Sequence, residues 1–227
     1  MTRSSLPEST PSGRSPLPEV FIFDLDGTLA DSFADIAAAL NDTRARFGHP
    51  PLSEAKVKSQ VGSGSDYLVR QLVPVPGDQH QDALRFYLDR YEENALVHTR
   101  LFPGVAEVLA RYGDHPLAVV TNKNHGLTRK ILEGLEVWDV FRIVVGGDSL
   151  ERKKPDPLPI VHVLEQVGVA PERAVMIGDG LHDIEAGQAA GVLTIAVSTG
   201  VESAASLASQ HPDHLIDSIA RLPDCFA

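Results

Sequence analysis

The chain alternates short, almost wholly apolar runs with longer stretches in which apolar residues recur every three or four positions. The runs are Val20–Asp24, Leu117–Thr121, Ile143–Gly146, Ala174–Gly178 and Leu193–Val197, and each gives way at its C-terminal side to a polar residue or glycine. Continuous apolar runs of this length predict strands buried on both faces, and helices between them predict βαβ units around a parallel sheet. The expected fold is therefore α/β, a Rossmann-like parallel sheet core flanked by helices. Ligands of such sheets bind beyond the carboxyl ends of the strands. Asp24, Thr121 and Asp179 all fall there.

Residues 32–98 break the alternation and predict no strand. Asp31–Leu40 is alanine-rich with helical spacing behind an Asp or Ser cap, a second helix is predicted after Ser53, and a third covers Gln79–Ala95. "LVPVPGDQ" reads as a loop from its prolines and glycine. The predicted organisation is a leader at 1–19, a core from 20–31 and 99–227, and an all-helical cap at 32–98 inserted after the first strand. "LFPGV" (Leu101–Val105) restarts the core at a Pro-Gly turn.

Composition narrows the picture. The 20 basic and 31 acidic residues give a net charge of -11, which disfavours nucleic acid and anionic membranes as partners. No apolar run approaches the roughly 18 residues of a membrane span. Residues 1–19 are rich in Ser and Pro without a hydrophobic stretch, which predicts a disordered leader rather than a secretory signal. The single cysteine, Cys225, excludes an internal disulfide and suits a reducing cytoplasm. The expected form is a monomer or homodimer.

The candidate chemistry sits at the strand ends. "VFIFDLDGTL" runs four apolar residues into two acids, Asp24 and Asp26. An Asp-Gly turn accounts for the second acid but not for two like charges at the end of a buried strand. Desolvating such charges is costly unless a cation joins them, and a hard divalent ion, Mg²⁺ first among them, takes oxygen ligands. "GDGLHD" adds Asp179 and Asp183 at a second strand end, Asp179 placed to complete a metal site. Asp183 also suits a plain capping charge in the first turn of the next helix. Thr121 and Asn122 close a third strand, where a hydroxyl and backbone N–H groups can hold phosphate, although Thr121 also fits as an ordinary strand residue. In "KKPDP", Lys154 is the candidate for a phosphate, Lys153 is expected to be solvated, and His182 receives no role. Acids, a hydroxyl, a lysine and a metal together point to phosphoryl transfer.

The ordered set "DLDGTL", "VVTNK", "KKPDP" and "GDGLHD" resembles the four motifs of the haloacid dehalogenase-like hydrolase superfamily, over nearly the whole chain after residue 19. The resemblance implies that Asp24 is a nucleophile forming an aspartyl-phosphate and Asp26 a general acid and base. It implies further that the Asp24 carboxylate, the Asp26 carbonyl and Asp179 hold Mg²⁺, that Thr121 and Lys154 bind the phosphoryl group, and that Asp183 supports the metal or Lys154. The inserted helices resemble that family's first cap subclass. "VGSGSDYLV" (Val61–Val69), with Gly62, Ser63 and Gly64, resembles its substrate-closing loop, and otherwise reads as a hinge between helices. "DGTLADSFADIAAALN", "HTRLFPGV", "VVGGDSLERKKPDPLPI" and "DHLIDSIARLP" resemble the phosphoglycolate phosphatases. The implied activity is hydrolysis of a small phosphorylated metabolite, with sugar phosphates, nucleotides or pyrophosphate as alternative substrates. A phosphosugar mutase fits less well, because the helix after the first motif lacks a histidine. Gly180 and His182 stand where Ser and Asn are frequent in the family. A phosphorylated receiver domain is disfavoured by the helical insertion, and a catalytically dead binding protein by the presence of every motif acid.

Overall fold

The computed structural model describes residues 14–227. In chain order the elements are β1 (Val20–Phe23), β2 (Ala30–Asp31), α1 (Phe33–Arg46), α2 (Glu54–Lys58), α3 (Ser65–Leu72), α4 (His80–Asn94), β3 (Arg100–Leu101), α5 (Val105–Arg111), β4 (Leu117–Val120), α6 (His125–Gly134), β5 (Ile143–Val145), α7 (Leu158–Val167), β6 (Ala174–Gly178), α8 (Leu181–Ala190), β7 (Leu193–Val197), α9 (Ala204–Ala208) and β8 (His214–Ile216). Six strands form one parallel sheet in the order β5-β4-β1-β6-β7-β8.

β1 lies inside the sheet and is fully buried, which explains its unbroken apolar run. Phe21 and Phe23 pack into the core on one face, with Tyr112 and Phe226 against Phe21. Val20 and Ile22 meet Ile160, Val163 and Leu164 of α7 on the other. All five predicted strands are present. The short edge strand β8 and the two-residue pair β2 and β3 carried too few apolar positions to register in the sequence.

The antiparallel pair β2–β3 is the stem at which the chain leaves the sheet region and returns. Between its strands lie α1 to α4, with no strand among them. Asp35, buried in the first turn of α1, clamps the return: its carboxylate accepts the His98 and Thr99 backbone N–H groups and the Thr99 hydroxyl at 2.8–3.0 Å. Two expectations change here. The stretch 61–69 is not all loop, because Gly64 caps α3 and the helix starts at Ser65. The predicted leader falls for residues 1–13 outside the described residues. At 14–19 the chain is instead pinned, with Ser15 exchanging backbone hydrogen bonds with Cys225 and Ala227. Among the described residues, no helix is long and apolar enough to cross a membrane.

Candidate active site

Strand order places β4, β1 and β6 side by side, so the residues following them converge at one edge of the sheet. Asp24 and Asp26 follow β1, Thr121 to Lys123 follow β4, and Asp179 follows β6, while Asp183 sits in the first turn of α8 and Lys154 precedes α7. The structure brings all of these together.

Carboxylate oxygens of Asp24, Asp179 and Asp183 lie within 4.8 Å of one another. Lys154 Nζ joins two of them, at 2.9 Å from Asp24 Oδ1 and 2.6 Å from Asp183 Oδ1, and donates to the Val120 carbonyl at 2.5 Å. An ammonium has three N–H groups, so Lys154 is saturated by the protein. Toward a phosphate it offers charge rather than a free donor, which refines its predicted role. Asp183 makes two contacts at once: Oδ1 accepts from Lys154, and Oδ2 accepts the Gly180 backbone N–H at 2.9 Å.

Three carboxylates against one ammonium leave two uncancelled negative charges. Burial, then Asp24 and Asp183, pushes the Asp179 carboxyl well above its ordinary range. Burial pushes Asp183 up to about 6, with Asp24 adding to the effect and Lys154 opposing it. Burial alone would lower Lys154, but Asp183 and Asp24 outweigh it and raise the lysine. The donor set is all oxygen, buried and in need of two positive charges, so the residues fit a hard divalent cation. Glycines shape this cradle. A Cβ at Gly200 would lie 1.6 Å from Asp179 Oδ2, and one at Gly27, whose φ is +90°, 2.3 Å from the same atom. Thr28 Oγ1 and the Val201 N–H donate to Asp179 at 2.8 and 3.1 Å. Thr28, Gly27 and Gly200 were missed as contributors; the first two stand inside the quoted "DGTL", but nothing in the sequence says that Thr28 turns toward Asp179.

Asp26 has different neighbours. Ser32 Oγ donates to its Oδ1 at 2.5 Å, and Lys123 Nζ lies 3.0 Å from Oδ2. Lys123, buried, also donates to Tyr91 Oη at 2.6 Å and lies 4.3 Å from the centroid of that ring. Burial, with Asp26 nearby, holds Tyr91 well above its ordinary range, so it remains a neutral phenol. The Asp26 carboxylate, held by Ser32 and Lys123, is thus not among the clustered carboxylates, and only the Asp26 backbone carbonyl remains as the predicted metal ligand. Lys123, Ser32 and Tyr91 were missed. The lysine was visible in "VVTNK" as a basic residue just past a strand end, whereas Tyr91 comes from a helix far along the chain.

Asn122 differs from expectation in detail. Its side-chain amide donates to the Gly62 and Lys154 carbonyls at 2.8 and 2.9 Å, so only its backbone N–H is left for a phosphate. The Thr121 hydroxyl accepts the Lys123 N–H at 3.3 Å and keeps its own proton to donate. The loop Gly62-Ser63-Gly64 is laid directly over these residues. Ser63 Oγ is 2.9 Å from His182 Nε2, and the Ser63 carbonyl accepts from Lys153 Nζ at 2.7 Å. Lys153 is exposed, as expected, yet it carries this contact, and His182 also has a partner after all. Burial lowers the imidazole's affinity for protons. Gly64, at φ +88°, has no room for a side chain: a Cβ would lie 2.9 Å from the Asn122 carbonyl oxygen.

Two cavities meet at Asp24 and Asp26. The outer one, of about 200 Å³, is lined by Lys154, Asp179, His182, Asp183 and Tyr67. The inner one, of about 40 Å³, is lined by Thr121, Asn122, Lys123 and the apolar Ile36, Leu68 and Tyr87.

Comparison with known proteins identifies the family of the fold. A family model described as haloacid dehalogenase-like hydrolase matches residues 21–197. A phosphoglycolate phosphatase of Chromobacterium violaceum is 39% identical over 89% of this chain and 93% of its own length. One of Nitrosococcus oceani is 34% identical over 90% and 95%. A crystal structure from Haemophilus somnus, described as a predicted phosphoglycolate phosphatase, superposes with a TM-score of 0.87 at 29% identity, covering 91% of this chain and 96% of that one. With the fold, the ordered motifs and these relatives in agreement, the chain belongs to the haloacid dehalogenase-like hydrolase family and is a phosphatase.

Proposed function

We propose that the enzyme is a Mg²⁺-dependent phosphomonoester hydrolase that works through an aspartyl-phosphate and acts on 2-phosphoglycolate, releasing glycolate and phosphate. The observation that carries the mechanism is the contrast between the two acids of the first motif. Asp24 is ion-paired to Lys154 at the acid cluster, whereas the Asp26 carboxylate is held by Lys123 and is not among the clustered carboxylates.

Asp24 Oδ attacks phosphorus as the bond to the leaving oxygen breaks; Asp26 enters this step as the carboxylic acid, gives that oxygen its proton, and is left as the carboxylate that Ser32 and Lys123 meet. Water then attacks phosphorus, Asp26 takes the water's proton, and the P–O bond to Asp24 breaks to release phosphate. Bound by Asp24, Asp179 and the Asp26 carbonyl, with Asp183 in support, Mg²⁺ would supply the charge that lets a phosphate dianion approach carboxylates. Thr121 Oγ1 and the Asn122 backbone N–H bind phosphoryl oxygens, and the charge of Lys154 offsets repulsion at the nucleophile. Helices α1 to α4 act as a cap, closed by the Gly62–Gly64 loop. The lone thiol Cys225, buried and unpaired, is in keeping with a cytoplasmic location.

The names of the relatives support 2-phosphoglycolate. The test is phosphate release from a panel of phosphomonoesters ranked by kcat/KM. Turnover must need Mg²⁺ and vanish in Asp24→Asn. If no phosphate is released from an aryl phosphate, the mechanism fails; if 2-phosphoglycolate ranks well below sugar phosphates, the narrow assignment alone fails.

A further inference from the structure

Lys123 is a buried ammonium that the four motifs leave without a task. Among the residues lining the inner cavity it is the single cation; the others are Asp24, Asp26, polar or glycine residues, and apolar or aromatic side chains. It is ion-paired to Asp26 and donates an N–H to the Tyr91 hydroxyl. Beyond these two partners its ammonium has no acceptor among the described residues, which leaves a third N–H spare. The cavity is lined also by the apolar Ile36, Leu68 and Tyr87, which offer that spare donor no partner, so it is left for an arriving anion.

We propose that Lys123 is the specificity-determining residue of this site, binding a carboxylate carried one carbon from the leaving oxygen of the substrate. The inference rests on the phosphatase reading above and names what selects the leaving group. Asp26 must reach the leaving oxygen to protonate it, and Lys123 Nζ lies 3.0 Å from Asp26 Oδ2. In an ester of the form phosphate–O–CH₂–COO⁻, one carbon separates that oxygen from the carboxylate. The carboxylate therefore arrives beside Asp26, where Lys123 already stands. A neutral alcohol of the same size fills the space but leaves the third N–H unmet, and a site built around a buried donor discriminates against a ligand that leaves it unpaired. Lys123 is held for this by two unlike contacts, the Tyr91 hydroxyl from α4 and the Asp26 carboxylate from the core, so it is in place only when the helical segment sits over the sheet.

The experiment compares kcat/KM for 2-phosphoglycolate and 2-hydroxyethyl phosphate in the wild type and in Lys123→Gln. The two substrates share a poor alkoxide leaving group and differ in the carboxylate, so any loss common to both cancels in their ratio. The wild type is expected to favour the acid, and Lys123→Gln to cut that preference on the order of 10- to 100-fold, the worth of one hydrogen bond to a charged group. A parallel fall on both substrates overturns the proposal while leaving the phosphoglycolate assignment intact, because Lys123 then serves Asp26 alone. A wild type without preference for the acid overturns both, and a wild type that releases phosphate from neither removes the phosphatase reading itself. Should Lys123→Gln fail to fold, binding to the wild type by calorimetry still decides. 3-Phosphonopropionate, the non-hydrolysable carbon analogue, must bind at least tenfold more tightly than propylphosphonate, and equal binding overturns the proposal.

Discussion

Asp179→Asn should make the metal-free protein more stable while abolishing its response to Mg²⁺. Asparagine keeps the shape, and both existing contacts can survive: its carbonyl accepts the Val201 N–H, and its NH₂ donates to Thr28 Oγ1 once that hydroxyl rotates. What disappears is one negative charge from a cluster whose ligand oxygens lie within 4.8 Å of one another. At an effective dielectric constant of about 20, each like-charge pair at that separation costs about 3.5 kcal/mol. Asp179 loses two such repulsions, with Asp24 and Asp183, and one attraction to Lys154 that is smaller than their sum. The net relief is about 3 kcal/mol by the same Coulomb arithmetic. For a chain of 227 residues this corresponds to a rise in Tm of about 6–12 °C.

The assay is thermal unfolding of both proteins in EDTA and in Mg²⁺, across pH. Burial and its neighbours raise the Asp179 carboxyl, so the native wild type holds a proton there more tightly than the unfolded chain. The wild type without metal therefore loses stability as pH rises from the unfolded carboxylate range through the folded one. The advantage of Asp179→Asn should be small near pH 4 and largest at pH 8. In Mg²⁺ the order should invert, because only the wild type gains the metal's binding energy. The charge argument is refuted if the variant melts no higher than the wild type in EDTA at pH 8, or if Mg²⁺ stabilises both equally.

Other outcomes follow from the same contacts. Gly200→Ala would push the Asp179 carboxylate away from a Cβ only 1.6 Å from its oxygen, and Mg²⁺ affinity by calorimetry should fall at least tenfold while the fold, by circular dichroism, is kept. Asp183 is pushed up to about 6, so its carboxylate is freely available only above that pH; the Mg²⁺-induced rise in Tm should be larger at pH 7.5 than at pH 5. Ser63→Ala removes the hydroxyl that meets His182 and should raise KM two- to tenfold, about 0.5–1.5 kcal/mol of loop closure, with kcat nearly unchanged.

The sheet and the acid cluster were legible in the sequence for one physical reason. A parallel strand buried on both faces must be apolar throughout, so Asp24, Thr121 and Asp179 stand out at the points where burial ends. What was illegible depends on contacts between segments far apart in the chain. Lys153 and His182 read as surface residues because their partner, Ser63, belongs to a different segment. Lys123 read as the tail of a motif because Tyr91, which fixes it, sits on α4 with helical periodicity and no chemical mark. The start of α3 was hidden because Gly64 serves both as its cap and as the point of closest approach to Asn122, and a Gly-Ser-Gly sequence reads as loop in either case.

Side by side on one strand end, Asp24 and Asp26 pose a problem of like charges that the fold resolves with two lysines rather than one. Lys154 gives all three of its N–H groups to Asp24, Asp183 and the Val120 carbonyl, so it is a fixed part of the acid cluster. Lys123 is ion-paired to Asp26 and donates to Tyr91, and on the proposed reading keeps an N–H for the substrate. In the proposed mechanism the saturated lysine serves chemistry common to every phosphomonoester. In the proposed reading the unsaturated lysine stands on the leaving-group side, held by Asp26 of the core and Tyr91 of α4. On this proposal specificity and chemistry fall to different ammonium groups, so a change at Lys123 should alter the ranking of substrates and a change at Lys154 should alter the rate for all of them.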